Sequence, residues 1–127
     1  MSERLFRGKR KDNEQMVYGY YLVLNSTEPL HIIVDHEGQY HLVAPATVGQ
    51  YTGLTDKNGK KIFEGDICRN TKTDEIVSVK WHGTMAGFVW SKRKENSYNS
   101  DFGELFRAHD KYEVIGNVHD NPELLEV

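Results

Sequence analysis

Cysteine is nearly absent: Cys68 is the single one among 127 residues. A lone thiol excludes an intramolecular disulfide framework, and a chain of this length buries enough surface to fold without one. The expected place for Cys68 is a small buried position in a strand. A reactive thiolate would need basic neighbours or a helix N-terminus to lower its pKa, and strand alternation sends the adjacent Arg69 to the opposite face. Long apolar runs are also missing. None reaches the roughly 18–20 residues that span a bilayer, and the opening stretch MSERLFRGKRKDNEQ has no apolar core of the signal-peptide kind. A cytoplasmic protein that makes no membrane contact is expected. Nor is there a surplus of one charge: 16 basic residues stand against 19 acidic ones, for a net −3. Dedicated duplex-DNA binders carry a basic excess, so only a local basic patch remains open. Finally, no long amphipathic helical period and no alternation of strands with helices occurs, which argues against α/β architectures.

What is present points to short strands. The length suits one compact domain. Residues 1–15 are polar, with Leu5 and Phe6 as apolar anchors, and are expected to form an arm. That arm is either solvated or a basic tail for a polyanion. Residues 16–24, MVYGYYLVL, are aromatic and β-branched and predict a strand, with Gly19 marking a bulge or a close backbone approach. Leu30–Val34 and Gln39–Ala44 predict a hairpin around the Asp35-His36-Glu37-Gly38 turn. Ile62–Asn70, interrupted at Gly65-Asp66, Glu75–Trp81, Gly87–Ser91 and Lys111–Val118 complete about seven strands. Val77, Val79 and Trp81 are placed on one face of theirs. A capping-box spacing at Asp101 and Glu104 predicts a short helical turn over Phe102–His109. Asn121-Pro122 predicts another at the C-terminus. The pattern predicts a mostly-β fold, a small barrel or sandwich with short C-terminal helical turns.

Several clusters could carry chemistry. The stretch TVGQYTGLTDKNGKKIFEGD holds Gly49, Gly53, Gly59 and Gly65. It lacks the spacing of a phosphate loop, so its glycines are expected to serve bends and the Asn58-Gly59 turn. Zinc needs three or four converging ligands. His31 and His41 are placed to face one another across the 30–44 hairpin, but His36 at its tip lies too far along the strand to join them, so no metal is expected. Glu64 and Asp66 share a strand face and could pair for acid–base work, although an acid beside a glycine turn more often bonds to backbone. No nucleophile elbow is visible. Aromatic residues are numerous, and Trp90, Lys92, Arg93, Lys94 and Tyr98 form the candidate binding surface. Its rings could stack on bases or grip a peptide, and its cations could meet phosphates. The competing expectation is ordinary sheet packing beside a solvated loop.

Three segments stand out together: Thr47–Leu54 (TVGQYTGL), Asp56–Ile67 (DKNGKKIFEGDI) and Glu113–Leu125 (EVIGNVHDNPELL). In this order and spacing the chain resembles the YopX family, small proteins of bacteriophages and of prophages in Gram-positive bacteria. The resemblance runs from Arg4 to Leu125. It implies a mostly-β fold with an SH3-like core and self-association. It supplies no activity, no cofactor and no catalytic residue to carry over. The resulting expectation is an N-terminal arm, 1–15, followed by a single YopX-like domain, 16–127. The chain would be a non-enzymatic phage or prophage accessory protein, cytoplasmic in its host, that binds a host or phage protein and forms homo-oligomers. The alternative is a nucleic-acid-binding module using the Lys92–Lys94 loop and the basic arm.

Overall fold

A computed structural model describes residues 5–82, 87–92, 97–98 and 107–125. The protein is mostly β, with 3-10 turns between strands. The chain divides into two compact units, Met1–Tyr51 and Thr52–Val127. Among the described residues no helix is long and apolar enough to cross a membrane.

The first unit contains β1 (Phe6–Lys9), β2 (Met16–Leu24), β3 (Leu30–Val34), β4 (Tyr40–Leu42) and the start of β5 (Gly49–Thr55). All pairings are antiparallel, in the order β4-β3-β2-β1-β5. β2 and β3 keep the bounds their apolar runs predict. Phe6–Lys9, part of the expected polar arm, is instead a strand paired on both sides, with Phe6 opposite both Gly19 and Gln50. Its partners supply the hydrogen bonds and burial that its own composition does not signal. Gly19 marks a close approach. A Cβ there would lie 2.0 Å from the carbonyl oxygen of Val34.

The β3–β4 turn, Asp35-His36-Glu37-Gly38-Gln39, is built by one carboxylate. Asp35 Oδ1 accepts the backbone N–H groups of Glu37 and Gln39 at 2.9 and 3.0 Å, and Gly38 takes φ +81°. This is a tight turn closed by a left-handed residue, which glycine adopts without a Cβ penalty.

In the second unit the rest of β5 pairs with β6 (Lys61–Phe63). β7 (Asp66–Asn70), β8 (Ile76–His82), β9 (Gly87–Lys92), β10 (Ser97–Tyr98) and β11 (Tyr112–Asn117) form a separate antiparallel sheet in the order β10-β9-β8-β7-β11. Its core joins Ile62, Cys68, Val77, Val79, Phe88 and Tyr112, with Leu54, Ala108 and Val114 packed around them. Cys68 is buried, as its strand position predicts, while Arg69 is exposed and bonds to Glu113. Trp81 follows Val77 and Val79 on their face but lies at its margin, nearly half exposed, edge-on to Phe88 at 5.0 Å. The C-terminal turn at Pro122–Leu125 is 3-10 and lies on β8. Gly83, Asp101, Glu104 and residues 102–106 of the expected helical turn lie outside the described residues.

The expected barrel does not close. Among the described residues the strands form open antiparallel sheets with end strands. The outer edge of β11 is one such end. The Asp56–Lys60 turn meets it: Lys57 N–H donates to the Tyr112 carbonyl at 2.9 Å, and Val114 N–H donates to Asp56 Oδ2 at 2.9 Å. The turn thus covers part of that edge, which would otherwise offer unpaired backbone groups.

Candidate functional site

Two of the segments that stood out in the sequence, Asp56–Ile67 and Glu113–Leu125, are one another's partners in the second unit. The Asp56-Lys57-Asn58-Gly59-Lys60 turn repeats the geometry of the β3–β4 turn. Asp56 Oδ1 accepts Asn58 and Lys60 N–H at 2.8 and 2.9 Å, and Gly59 takes φ +81°. The left-handed residue is Gly59 rather than Asn58. The second oxygen of Asp56 reaches Val114, so one buried carboxylate joins the turn to β11.

The Glu64-Gly65-Asp66 step meets the end of the same strand. Gly65 N–H donates to the Val79 carbonyl and Val118 N–H donates to the Gly65 carbonyl, both at 2.8 Å. Asp66 is buried opposite Asn117, and its Oδ2 accepts Phe63 N–H at 2.7 Å. Asn117 and Asn121 close the final segment: Asn117 Oδ1 accepts N–H from His119 and Asp120, and Asn121 Oδ1 accepts from Asn117. A Cβ on Gly116 would lie 2.5 Å from Asn121 Oδ1. These contacts make Asp56–Ile67 and Glu113–Leu125 a lock on backbone geometry, since their polar side chains satisfy N–H groups of the turns and of the outer edge of β11.

The histidines are dispersed. His41 sits opposite Ile33 and His31 opposite Val23, so the two do not face each other across the hairpin. Their spacing in β3 and β4 places them two rungs apart on one face. His31 Nδ1 shares a 2.6 Å hydrogen bond with Tyr21 Oη, while His41 Nε2 lies 2.8 Å from Asp35 Oδ2. The hydrogen bond from His41, aided by Gln39 and Glu37 N–H, holds the Asp35 carboxyl below its ordinary pKa. His109 Nδ1 donates to the Thr55 carbonyl at 2.6 Å. Among the described residues no three His, Cys, Asp or Glu side chains stand close enough to hold a metal.

Of the expected binding surface, Arg93 and Lys94 lie outside the described residues. Trp90 and Lys92 are strand residues of β9 and Tyr98 of β10. Their backbones pair Trp90 with Val79, Lys92 with Ser97, and Tyr98 with Ser91.

A second surface was not singled out by sequence reasoning. Directly opposed residues in antiparallel strands share a face. Across β2, β3 and β4 the rungs Tyr20–Val34–Tyr40, Leu22–Ile32–Leu42 and Leu24–Leu30 therefore line one face. No charged or amide side chain belongs to these rungs. Tyr20 and Tyr40 are each 70% exposed, and Leu42, Leu24 and Leu30 are 48%, 48% and 41% exposed. Ile32 at the centre is only 5% exposed. The opposite face holds the fully buried Ile33 and, just past β4, Val43. Period-two alternation separates these sets, but the set with Ile33 and Val43 also carries His31 and His41, so polarity alone favours the wrong set as the solvent-facing one. Asp35 and Glu37 lie at the turn beyond Tyr40, and Lys11 lies beyond Leu42, to whose carbonyl its backbone N–H donates.

These observations define a mostly-β protein with a motif-locked second unit and an apolar, solvent-facing sheet in the first. The chain belongs to the YopX family, described as YopX protein, whose match covers residues 5–126. Among solved structures it is similar to protein EF1440 from Enterococcus faecalis. The two share 23% identity, with a TM-score of 0.59, over 99% of this chain and 100% of that one. That likeness concerns the fold. No curated protein matches the chain.

Proposed function

We propose that this YopX-family chain is a non-enzymatic accessory protein of a phage or prophage, cytoplasmic in its host, that works through protein–protein contact and self-association. One observation carries the reading: the uncharged tyrosine and leucine face of β2, β3 and β4 is turned to solvent. Scattered surface leucines need no explanation, but contiguous rungs of apolar side chains mark contact surfaces. Exposed tyrosines supply large, rigid contact area at low entropic cost. The antiparallel succession β7–β8–β9, with β11 returning onto β7 after a 3-10 turn, supports an SH3-like core for the second unit.

The test is the elution of the tagged full chain in host extract. The expected result is a species larger than the 14.7 kDa monomer, lost in a Tyr20→Glu/Tyr40→Glu variant that retains its circular dichroism. Monomeric elution of the unaltered chain sinks the proposal.

A nucleic-acid reading draws on Trp90, Lys92, Arg93, Lys94 and Tyr98. It is supported by the pairing of Lys92 with Ser97, which puts Lys92 at the end of β9 immediately before two further cations. It predicts single-strand binding that weakens steeply with salt. An oligonucleotide whose mobility is unchanged by the protein at low salt removes it.

A further inference from the structure

We infer that one end of the second unit binds the phosphate backbone of double-stranded nucleic acid, without regard to its sequence. This surface shares no residue with the β2–β3–β4 face, nor with Trp90, Lys92 and Tyr98.

Three segments of the unit meet there through their backbones. Lys57 N–H donates to the Tyr112 carbonyl at 2.9 Å, and Thr71 N–H donates to the Lys111 carbonyl at 3.1 Å. The start of β11 therefore lies between the Asp56–Lys60 turn and the β7–β8 turn. Across the first of these turns Asp56 N–H donates to the Lys60 carbonyl at 2.8 Å. Lys60, Lys57, Lys111 and Lys72 thus follow one another over three backbone spacings, roughly 15 Å in all. All four side chains are exposed.

The acids beside this row are engaged. Asp56 is buried and accepts three N–H groups. Glu113 and Asp74 hold Arg69, and Glu75 accepts the Tyr112 hydroxyl. Among the described residues none of the four ammonium groups has an ion-pair partner, and Asp110 is the exposed carboxylate left beside them. A chain of net −3 therefore carries a local row of open cations.

The row's composition selects its ligand. Protein interfaces centre on aromatic and apolar anchors and are depleted in lysine. Among the described residues of this unit the exposed large apolar side chain is Trp81, at the opposite end of β8 from the β7–β8 turn. Single strands are held on rings against which bases stack, but Tyr112, the ring within the row, is buried. What the row offers is charge. Each strand of a duplex carries one phosphate per about 3.4 Å of axis, so roughly 15 Å passes four or five of them. Lysine suits that contact, because a point charge on a flexible stem follows phosphates without reading base edges.

The experiment is fluorescence anisotropy of a labelled mixed-sequence duplex of about 20 base pairs, titrated with the purified full chain between about 50 and about 200 mM salt. Four phosphate contacts predict a slope of about −3.6 for log K against log salt, a fall in affinity of roughly 150-fold across that range. Lys57→Gln/Lys111→Gln removes two contacts and should bring the slope to about −1.8, with circular dichroism unchanged. Lys11→Gln, in the first unit, should leave the slope as it was. Absence of binding at the lowest salt overturns the inference, as does a slope that the double substitution does not move. Tighter binding of a single strand of the same sequence also overturns it, and so does displacement of the duplex by polyglutamate at equal charge concentration, which would make the ligand an acidic protein segment.

Discussion

Replacing Asp56 with alanine tests whether the motif-bearing segments act as a backbone lock. The carboxylate accepts three N–H groups, from Asn58, Lys60 and Val114, at 2.8–2.9 Å. Asn58 and Lys60 are exposed, and water can replace their acceptor, so each of those bonds contributes about 0.5–1 kcal/mol. Val114 is half-buried on β11. Losing a charged acceptor there costs roughly 1.5–3 kcal/mol. The sum is about 2.5–5 kcal/mol, a large share of the 5–15 kcal/mol typical of a domain, and corresponds to a fall of roughly 10–20 °C in Tm. Asp56→Asn retains one oxygen but sets an amide donor where either Oδ1 or Oδ2 accepted. It should fall between the other two, at roughly 2 kcal/mol. Urea unfolding followed by tryptophan fluorescence, with thermal melts alongside, measures all three proteins. An alanine variant within about 0.5 kcal/mol of the unaltered protein would refute the lock. Equal stability of the asparagine variant and the unaltered protein would refute the contribution of the Val114 bond in particular.

Two glycine substitutions separate steric from conformational cost. Gly19→Ala brings a Cβ to 2.0 Å from a backbone carbonyl and should cost more than about 3 kcal/mol. Gly38→Ala meets open space but keeps φ +81°, for about 1–2 kcal/mol; equal losses in denaturant titrations would contradict this distinction. Because His41 and the neighbouring N–H groups lower the pKa of Asp35 from 3.8, this group's stabilisation is present above that value, where both folded and unfolded chains are ionised. It is lost as pH falls through the lower folded value. Asp35→Asn should flatten that part of the acid-unfolding profile, and an unchanged profile would remove Asp35 as a contributor.

The legible parts of the fold are those in which neighbours in sequence decide the structure. β2 and β3 are apolar, β-branched runs bounded by turn residues, and their limits follow from that. The turns at Asp35–Gln39 and Asp56–Lys60 are governed by a carboxylate that bonds to N–H groups two and four residues on, and by a glycine at the left-handed position. The Asp-x-x-Gly spacing that repeats in both units is visible in the sequence; the hydrogen bonds that each carboxylate makes are seen only in three dimensions. β1 was not legible, because Phe6–Lys9 is polar by composition and extended by virtue of strands on both sides of it. β5 reads as glycine-rich bends because Gly49 and Gly53 interrupt its apolar pattern, whereas its ladder partners hold it as a strand.

Read alone, the sequence yields a β protein with no intramolecular disulfide, the places of its tightest turns, and a YopX resemblance that the family match bears out. These properties depend on composition, local backbone preference and the order of motifs along the chain. The three-dimensional fold leaves the sheets open among the described residues and brings Asp56 to Val114, on the outer edge of β11, across a separation of 58 residues. It also decided which apolar set in β2, β3 and β4 faces solvent. Alternation distinguishes two faces of a strand but does not say which one the rest of the molecule covers; Ile33 is buried on one side while Tyr20 and Tyr40 stand exposed on the other.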